Sequence, residues 1–595
     1  MTTDLAPDLA VLAVKAARAY QREDLADRVE RALARYGDRR AVVAVVGEFK
    51  QGKSSLVNAL VGAEVCPVDD DVSTVVPTVV GWSEFAASRV SLREGSAVDI
   101  AVEDLPEWVT EVQNPGNERG AARVDVGLPS PLLELGLVLV DTAGAGGLGS
   151  SHGALTMAML PLTDAVVFAT GSTQELTRPE MEYLRAVHEL DRQMVVVETK
   201  IDLQPQWRLI VDVDRAHLAD EGFDVPVVPV SSELFVEGAL RSDDALNTES
   251  GVPALLGWLL EQVAGSTQRA SVASLLGEVR DAVAQLNGQL AAERDALESR
   301  DDLDELFEQL ETTRVAADRA RSTASKWGLA MGDAFSDLNV AVENDLRDRL
   351  RALTDEVEAL IQQSDPSRAW ADIERELYRR AALATASHCT ARHRFLDDAV
   401  ARVDEVFEGE TTGAGERVAG LDELKVELPR VAAALALEKQ KLAGQGLTLV
   451  RGSYGGLAML GFLGGFTGVT LAAPVLAGLG VLLGGRGLKE ERRRQLAQRR
   501  AQARSSVRKY LDDLSLVLGR ESRDTLRFVH RAVRDHYAAR SVELQRTATE
   551  ASAAAKRAME ATATERDERL AAVQAELVRV DRLLDRVDAL AGATT

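Results

Sequence analysis

Cysteine is nearly missing from this sequence: 595 residues hold only Cys66 and Cys389, and neither has metal-ligand spacing around it. That excludes a disulfide framework and points to a reducing compartment. Aromatics are scarce too, at 4% of the chain, and after residue 265 Ala, Leu, Glu and Arg dominate, a bias toward helix over sheet. Basic residues are outnumbered, 69 Lys and Arg against 94 Asp and Glu. The net charge of −25 makes the chain as a whole a poor partner for nucleic acid. The N-terminus lacks the basic flank and cleavage pattern of a secretory signal and reads as an amphipathic helix. The expectation is a chain that stays in the cytoplasm unless its internal apolar segment places part of it in a membrane. Its length calls for several cores.

What is present begins with a phosphate loop. Residues 41–46, AVVAVV, fit a buried parallel strand and run into Gly47-Glu48-Phe49-Lys50-Gln51-Gly52-Lys53-Ser54, followed by the helical stretch SLVNALVG. This is G-x-x-x-x-G-K-S in its required context of strand, loop and helix. The chemistry sets the residue types. Gly47 and Gly52 permit close backbone approach, loop amides and the helix N-terminus cradle phosphates, Lys53 reaches the outer phosphates, and Ser54 ligates magnesium. The motif alone does not separate ATP from GTP.

A further series of segments resembles GTPases. The Lys53-Ser54-Ser55 run into an apolar helix is similar to the dynamin superfamily, and DVSTVVPTVVGW resembles the first switch of its bacterial dynamin-like members. The resemblance implies that Thr74 coordinates magnesium and orients the attacking water, with Thr78 as the residue that competes for the role. Leu135 to Val140 is an apolar strand ending in Asp141-Thr142-Ala143-Gly144. A carboxylate at the C-terminal end of such a strand suits the magnesium shell, and the Gly144 amide is placed to sense the γ-phosphate. Thr199-Lys200-Ile201-Asp202, after the strand MVVVE, resembles the T-K-x-D base-reading motif. Asp202 would accept from guanine N1 and the exocyclic amine, and the Lys200 stem would cover the ring. Adenine would leave a buried polar group unpaired, at roughly 1–3 kcal/mol. Ser231 and Ser232 look like the loop that closes over the base. These elements follow one another in the chain order of a mononucleotide-binding α/β domain.

No histidine or carboxylate is placed as a general base, so hydrolysis would rest on water positioning and charge compensation. Phe49 stands where the eukaryotic dynamin pattern has a catalytic glutamine, so that mechanism does not transfer unchanged. Relatives that place an arginine at the next position imply a charge-compensating role for Lys50 once two GTPase domains pair. A solvated loop lysine is the plainer reading.

Beyond residue 265, Leu276, Val279, Val283, Leu286, Leu290 and Leu297 give one helix an apolar face, and Val573, Leu577, Val580, Leu584 and Val587 repeat the spacing. Either set is compatible with a coiled coil, but the resemblance favours one antiparallel bundle. A helix over 8–36 is expected to pack with one just after 265 and with the C-terminal helix as a neck. SDPSR at 364–368 and the Gly/Thr-rich run at 409–417 mark turns or joints.

Residues 453–485 carry no charge, and Gly464, Gly465, Gly468 and Pro474 divide them into two limbs. A tip-inserted hairpin similar to the paddle of bacterial dynamin-like proteins, a two-pass hairpin and a buried soluble hairpin are the three readings. Ten Arg and Lys against two Glu follow over 486–509, a cluster suited to anionic headgroups.

The expected architecture is an α/β P-loop GTPase domain with a long helical bundle, neck and stalk, carrying a hydrophobic membrane-inserting tip. Its parts are an N-terminal neck helix (1–38), the GTPase domain (39–265), outgoing helices (266–450), the paddle (451–487) and returning helices (488–595). The acidic, Ala/Arg-rich character is similar to the mycobacterial isoniazid-inducible Ini proteins. The resemblance implies Mg2+ as cofactor and GTP and GDP as ligands. It also implies an anionic membrane as partner through 453–485 and 486–509, a homodimer or higher oligomer through the GTPase domains, a possible paralogous partner, and no nucleic acid. The function it implies is hydrolysis of GTP coupled to membrane remodelling at the inner face of the cell membrane; the alternative is a soluble, GTP-dependent self-assembling scaffold or regulatory GTPase.

Overall fold

The valine-rich runs of the first half of the chain line up in one nine-stranded sheet in the computed structural model of the protein. The structure describes residues 5–38, 40–48, 50–68, 76–92, 96–142, 156–157, 160, 163–189, 192–298, 303–408, 476–560 and 563–594. For 303–327 and 476–492 it describes the backbone alone.

The strands are β1 (Ala41–Val46), β2 (Thr78–Trp82), β3 (Ala87–Leu92), β4 (Ala97–Ile100), β5 (Ala121–Leu128), β6 (Leu137–Asp141), β7 (Ala165–Gly171), β8 (Gln193–Thr199) and β9 (Val227–Pro229), in the order β4-β3-β5-β2-β6-β1-β7-β8-β9. From β6 to β9 every pair is parallel, whereas β2 meets β6 antiparallel. Parallel strands are covered on both faces, which is why β1 and β7 read as unbroken apolar runs. Strand order reverses at β1, flanked by β6 and β7, so the crevice beyond the C-terminal ends of these strands is the topological switch point where ligands bind.

Helices cover both faces. On one, α3 (Lys53–Val61) supplies Leu56, Val57 and Leu60 to a cluster with Val43, Val45, Leu139 and Val167. On the other, α4 (Arg178–His188) and α5 (Trp207–Asp220) pack on Val46, Phe168 and Val196. α6 (Ser232–Arg241) and α7 (Val252–Trp258) follow. α7 runs through one wider turn, Leu259–Ala264, directly into α8 (Gly265–Glu298), so the head continues into the bundle without a flexible linker.

The bundle consists of α8, α9 (Leu303–Gln363), α10 (Pro366–Glu408), α11 (Leu476–Glu560) and α12 (Ala563–Thr594). Two N-terminal helices, α1 (Leu5–Ala19) and α2 (Glu23–Asp38), share an apolar cluster with Leu275, Leu276, Val279 and Leu286 of α8 and Val573, Val580 and Val587 of α12. The expected single helix over 8–36 is therefore two. Gln21 takes a left-handed φ of 59°, and the buried Arg22 guanidinium bonds Asp24 of α2 and Gln285 and Gln289 of α8. At the other end α9 and α10 meet in a tight turn, where Asp365 Oδ1 accepts from Ser367 N and Pro366 opens the helix. The expected joint at 409–417 lies outside the described residues.

The three long helices α9, α10 and α11 share two apolar clusters, one around Phe335, Leu396 and Val529 and one around Val357, Leu377 and Leu514. Between them lies a polar layer. His388 bonds Asp345 at 2.7 Å and Ser522 at 3.1 Å, and the buried Arg392 pairs with Glu521.

One expectation is corrected. Among the described residues no helix is long and apolar enough to cross a membrane, so the architecture they show is a P-loop domain with a long helical bundle, and the expected membrane-inserting tip is not among them. Residues 451–475 lie outside the described residues. Leu476–Gly485 forms the start of α11, and the same helix then takes up Arg486, Lys489, Glu490, Glu491 and Arg492. The apolar portion spans roughly 15 Å of helix against a hydrocarbon core of roughly 30 Å.

Candidate nucleotide site

The site is assembled from the C-terminal ends of β1, β6 and β8. β1 delivers the chain to Gly47, whose φ of +147° and distance to the neighbouring strand leave no room for a side chain: a Cβ would lie 2.1 Å from Ala169 O. The loop turns through Lys50, with φ 64°, to Gly52, with φ 75°, which caps α3. Both turns are left-handed, and at the second glycine is the residue that adopts this freely.

Lys53 and Ser54 open α3. Lys53 is buried and its Nζ donates to Glu48 O at 2.7 Å. Burial pulls its amine down to about 8 against the opposing Asp141 and Glu48 carboxylates. Ser54 Oγ donates to Asp141 Oδ2 at 2.8 Å. Asp141 is fully buried, which raises its carboxyl against the Ser54 bond and the nearby Lys53 ammonium. Its Oδ1 has no hydrogen-bond partner among the described residues. Thr78 stands opposite Asp141 in the β2–β6 register, and its buried Oγ1 is likewise without a partner among the described residues. Ser55 lies half-buried on α3.

From β8, Thr199 Oγ1 lies within bonding distance of Gln51 O (2.9 Å) and Thr170 O (3.0 Å). Lys200, with φ 62°, donates from Nζ to Lys50 O at 2.7 Å. The structure thus ties the expected base-reading segment to the expected phosphate loop by two direct bonds. Asp202 sits exposed on the following turn, Ser231 is buried as the N-cap of α6 and accepts from Leu234 N, and Ser232 begins that helix. Thr74, Gly144 and Phe49 lie outside the described residues.

Three contacts escape the motifs. Gln51 Nε2 donates to the buried Glu180 of α4 at 3.1 Å. The Cys66 thiol lies against the Asp141 carboxylate, and burial, with that carboxylate, pushes it well up. Asn58 on α3 pins the Cys66 segment by donating to Cys66 O and accepting from Val65 N and Cys66 N. No spacing signal marks these contacts: Gln51–Glu180 and Cys66–Asp141 join distant segments, and the Asn58 bonds close the turn that follows α3.

A model of the dynamin family matches residues 43–201. The isoniazid-induced protein IniA of Mycobacterium tuberculosis (strain ATCC 25618 / H37Rv) is 35% identical over 591 residues, 96% of this chain and 91% of its own. Dynamin-like protein 2 of Campylobacter jejuni is 32% identical over 107 residues, 18% of this chain and 17% of its own. Among solved structures, a chain of an oligomerised bacterial dynamin pair, described as a mechanism for long-range sensing and tethering of membranes, aligns at 15% identity. The alignment covers 72% of this chain and 79% of that one, with a TM-score of 0.41.

Proposed function

Since this chain belongs to the dynamin superfamily of GTPases, as a bacterial member related to the mycobacterial IniA proteins, we propose that it hydrolyses GTP to GDP and phosphate and uses the cycle to drive self-assembly as a scaffold. The observation that carries the nucleotide reading is the convergence of Lys53, Ser54 and Asp141 at the ends of β1 and β6, with Thr199 and Lys200 bound to the same loop.

In this reading Gly47 and Gly52 let the loop amides close on the phosphates, and the N-terminus of α3 and Lys53 bear their charge. Ser54, Asp141 and Thr74 would hold magnesium. Hard oxygen donors suit that ion, and the buried Asp141 Oδ1 and Thr78 Oγ1, both lacking partners among the described residues, fit a cation nearby. When bound, magnesium would neutralise charge on the outer phosphates. Gly144 reports the terminal phosphate through its amide, and Lys50 compensates charge when heads pair. Asp202 and Lys200 read the base, with Thr199 fixing their segment and Ser231 and Ser232 closing over it.

Pairing through GTPase domains, as a homodimer, a higher oligomer or with a paralogous partner, would transmit the cycle to the bundle. Light scattering in the presence of GDP and of a non-hydrolysable GTP analogue, alongside phosphate release, tests the scaffold. Turnover of GTP with assembly confined to the triphosphate is expected. Turnover without any change in size would reject the self-assembly.

A second reading, peripheral binding to an anionic surface inside the cell, draws support from the exposed Arg493 and Arg494 in the basic run. Arg499, Arg500, Arg504 and Arg508 of that run instead engage Ser367, Ser364, Gln362 and Glu358 around the α9–α10 turn. Sedimentation with anionic vesicles that fades as salt rises is the expected signature; none at low salt would dismiss it.

A further inference from the structure

The helix that holds the phosphate loop from the side is also the one on which the stalk rests. α4 opens with a capping box: Thr177 Oγ1 accepts from Glu180 N, and Glu180 Oε2 accepts from Thr177 N at 2.9 Å and from Thr177 Oγ1 at 2.7 Å. The other carboxylate oxygen, Oε1, accepts from Gln51 Nε2 of the loop at 3.1 Å and from Thr170 Oγ1 at the end of β7 at 2.9 Å. Glu180 is fully buried with both oxygens occupied, so it has little freedom to move independently of the loop.

One residue further, Met181 joins an apolar cluster that also contains Ala382 and Ala386 of α10. Two residues further, Glu182 lies 3.5 Å from Arg379 Nη1 of α10. Ala382 is fully buried, whereas its neighbour Ala381 belongs to the stalk's own core. Adjacent positions of α10 thus face the head and the bundle in turn. Two alanines, the partly buried Leu383 and a part-exposed ion pair make a small contact, and the exposed pair adds little to hold it shut.

We propose that α4 is an intramolecular docking surface for residues 379–386 of the stalk, and that Glu180 couples this docking to nucleotide binding. The coupling rests on the GTPase reading; the docking does not. The Gln51–Glu180 bond fixes the loop in the shape that accompanies a docked stalk. A triphosphate that draws the loop amides toward itself strains this bond, so triphosphate and docked stalk oppose each other. Linkage makes the effect reciprocal: an undocked stalk raises affinity for the triphosphate.

Ala382→Arg places a long cation against the head while sparing the stalk core. Small-angle scattering should show a more extended molecule, and affinity for a non-hydrolysable GTP analogue should rise by about 5-fold, the low end of typical couplings. With Gln51→Ala added, the molecule should still open but the affinity should no longer change. An unchanged scattering curve would overturn the docking; an opened molecule with wild-type affinity would overturn the coupling. Absence of nucleotide binding in the unaltered protein would refute the GTPase reading and the coupling while leaving the scattering result to decide the docking.

If Ala382→Arg does not fold, Glu182→Cys with Arg379→Cys, bridged by a short reducible crosslinker, gives the reverse test, since Cys66 and Cys389 are buried. Bridging should lower analogue affinity and reductant should restore it. Identical affinities before and after reduction would overturn the proposal.

Discussion

The head and the stalk bury polar groups in opposite places. In the head, Val43, Val45, Leu139 and Val167 fill the interior, and the polar side chains that matter, Lys53, Ser54, Asp141 and Thr199, gather where strands end. In the stalk, charge lies mid-helix. Arg392 with Glu521, and His388 between Asp345 and Ser522, separate two apolar clusters. Nearer the neck, Arg28 bonds Glu278 of α8 and Glu543 of α11. A parallel sheet has its register set by backbone bonds and keeps polar chemistry for its edge. Three long helices of similar Ala- and Leu-rich faces can slide, and a buried charge that pairs in only one alignment opposes that. In the proposed reading, buried polarity serves binding in the head, whereas in the bundle it sets registration.

Glu521→Ala probes this contrast most forcefully. It strands the buried Arg392 and should cost about 3 kcal/mol of bundle stability, seen as a lower denaturation midpoint, while GTP turnover by the head persists. A loss of turnover with normal stability would reverse the assignment. In the head, Lys53→Ala should cut GTP turnover by about 10²–10³-fold, in the range of other lost charge-stabilising contacts, and leave the helical unfolding transition in place. Phosphate-release kinetics read the first effect and circular dichroism the second. Thr177→Ala sharpens the comparison at its boundary. Loss of the α4 cap should destabilise the head by about 1 kcal/mol, measured by urea unfolding followed at the head's tryptophans.

The strands that lead into the site, β1, β6 and β8, and the loop after β1 were legible because each is local, whereas β2, β3 and β4 were not read as strands. Residues 41–46 must be apolar to lie between β6 and β7, and Gly47 must lack a side chain because Ala169 O occupies its place. The bundle's apolar faces were legible from helical spacing for the same reason. What escaped was set by distance along the chain. Gln51 and Glu180 are 129 residues apart, and His388 and Ser522 are 134 apart. The alanines that meet the head look like any alanines of a helix. The break at Gln21 also escaped, because it follows from Arg22 reaching Gln285 and Gln289 of α8. Hydropathy misled over the tip. An uncharged run suggested insertion, but its last ten residues, Leu476–Gly485, belong to a helix that becomes highly charged within one turn.

Calorimetric titration of the intact protein with GDP and then with ADP, both with magnesium, tests the central claim most directly. Preference for the guanine nucleotide by on the order of 10²-fold or more is predicted, as expected where a site bonds groups the competitor lacks. Equal affinities for the two would contradict a guanine-reading site at the head.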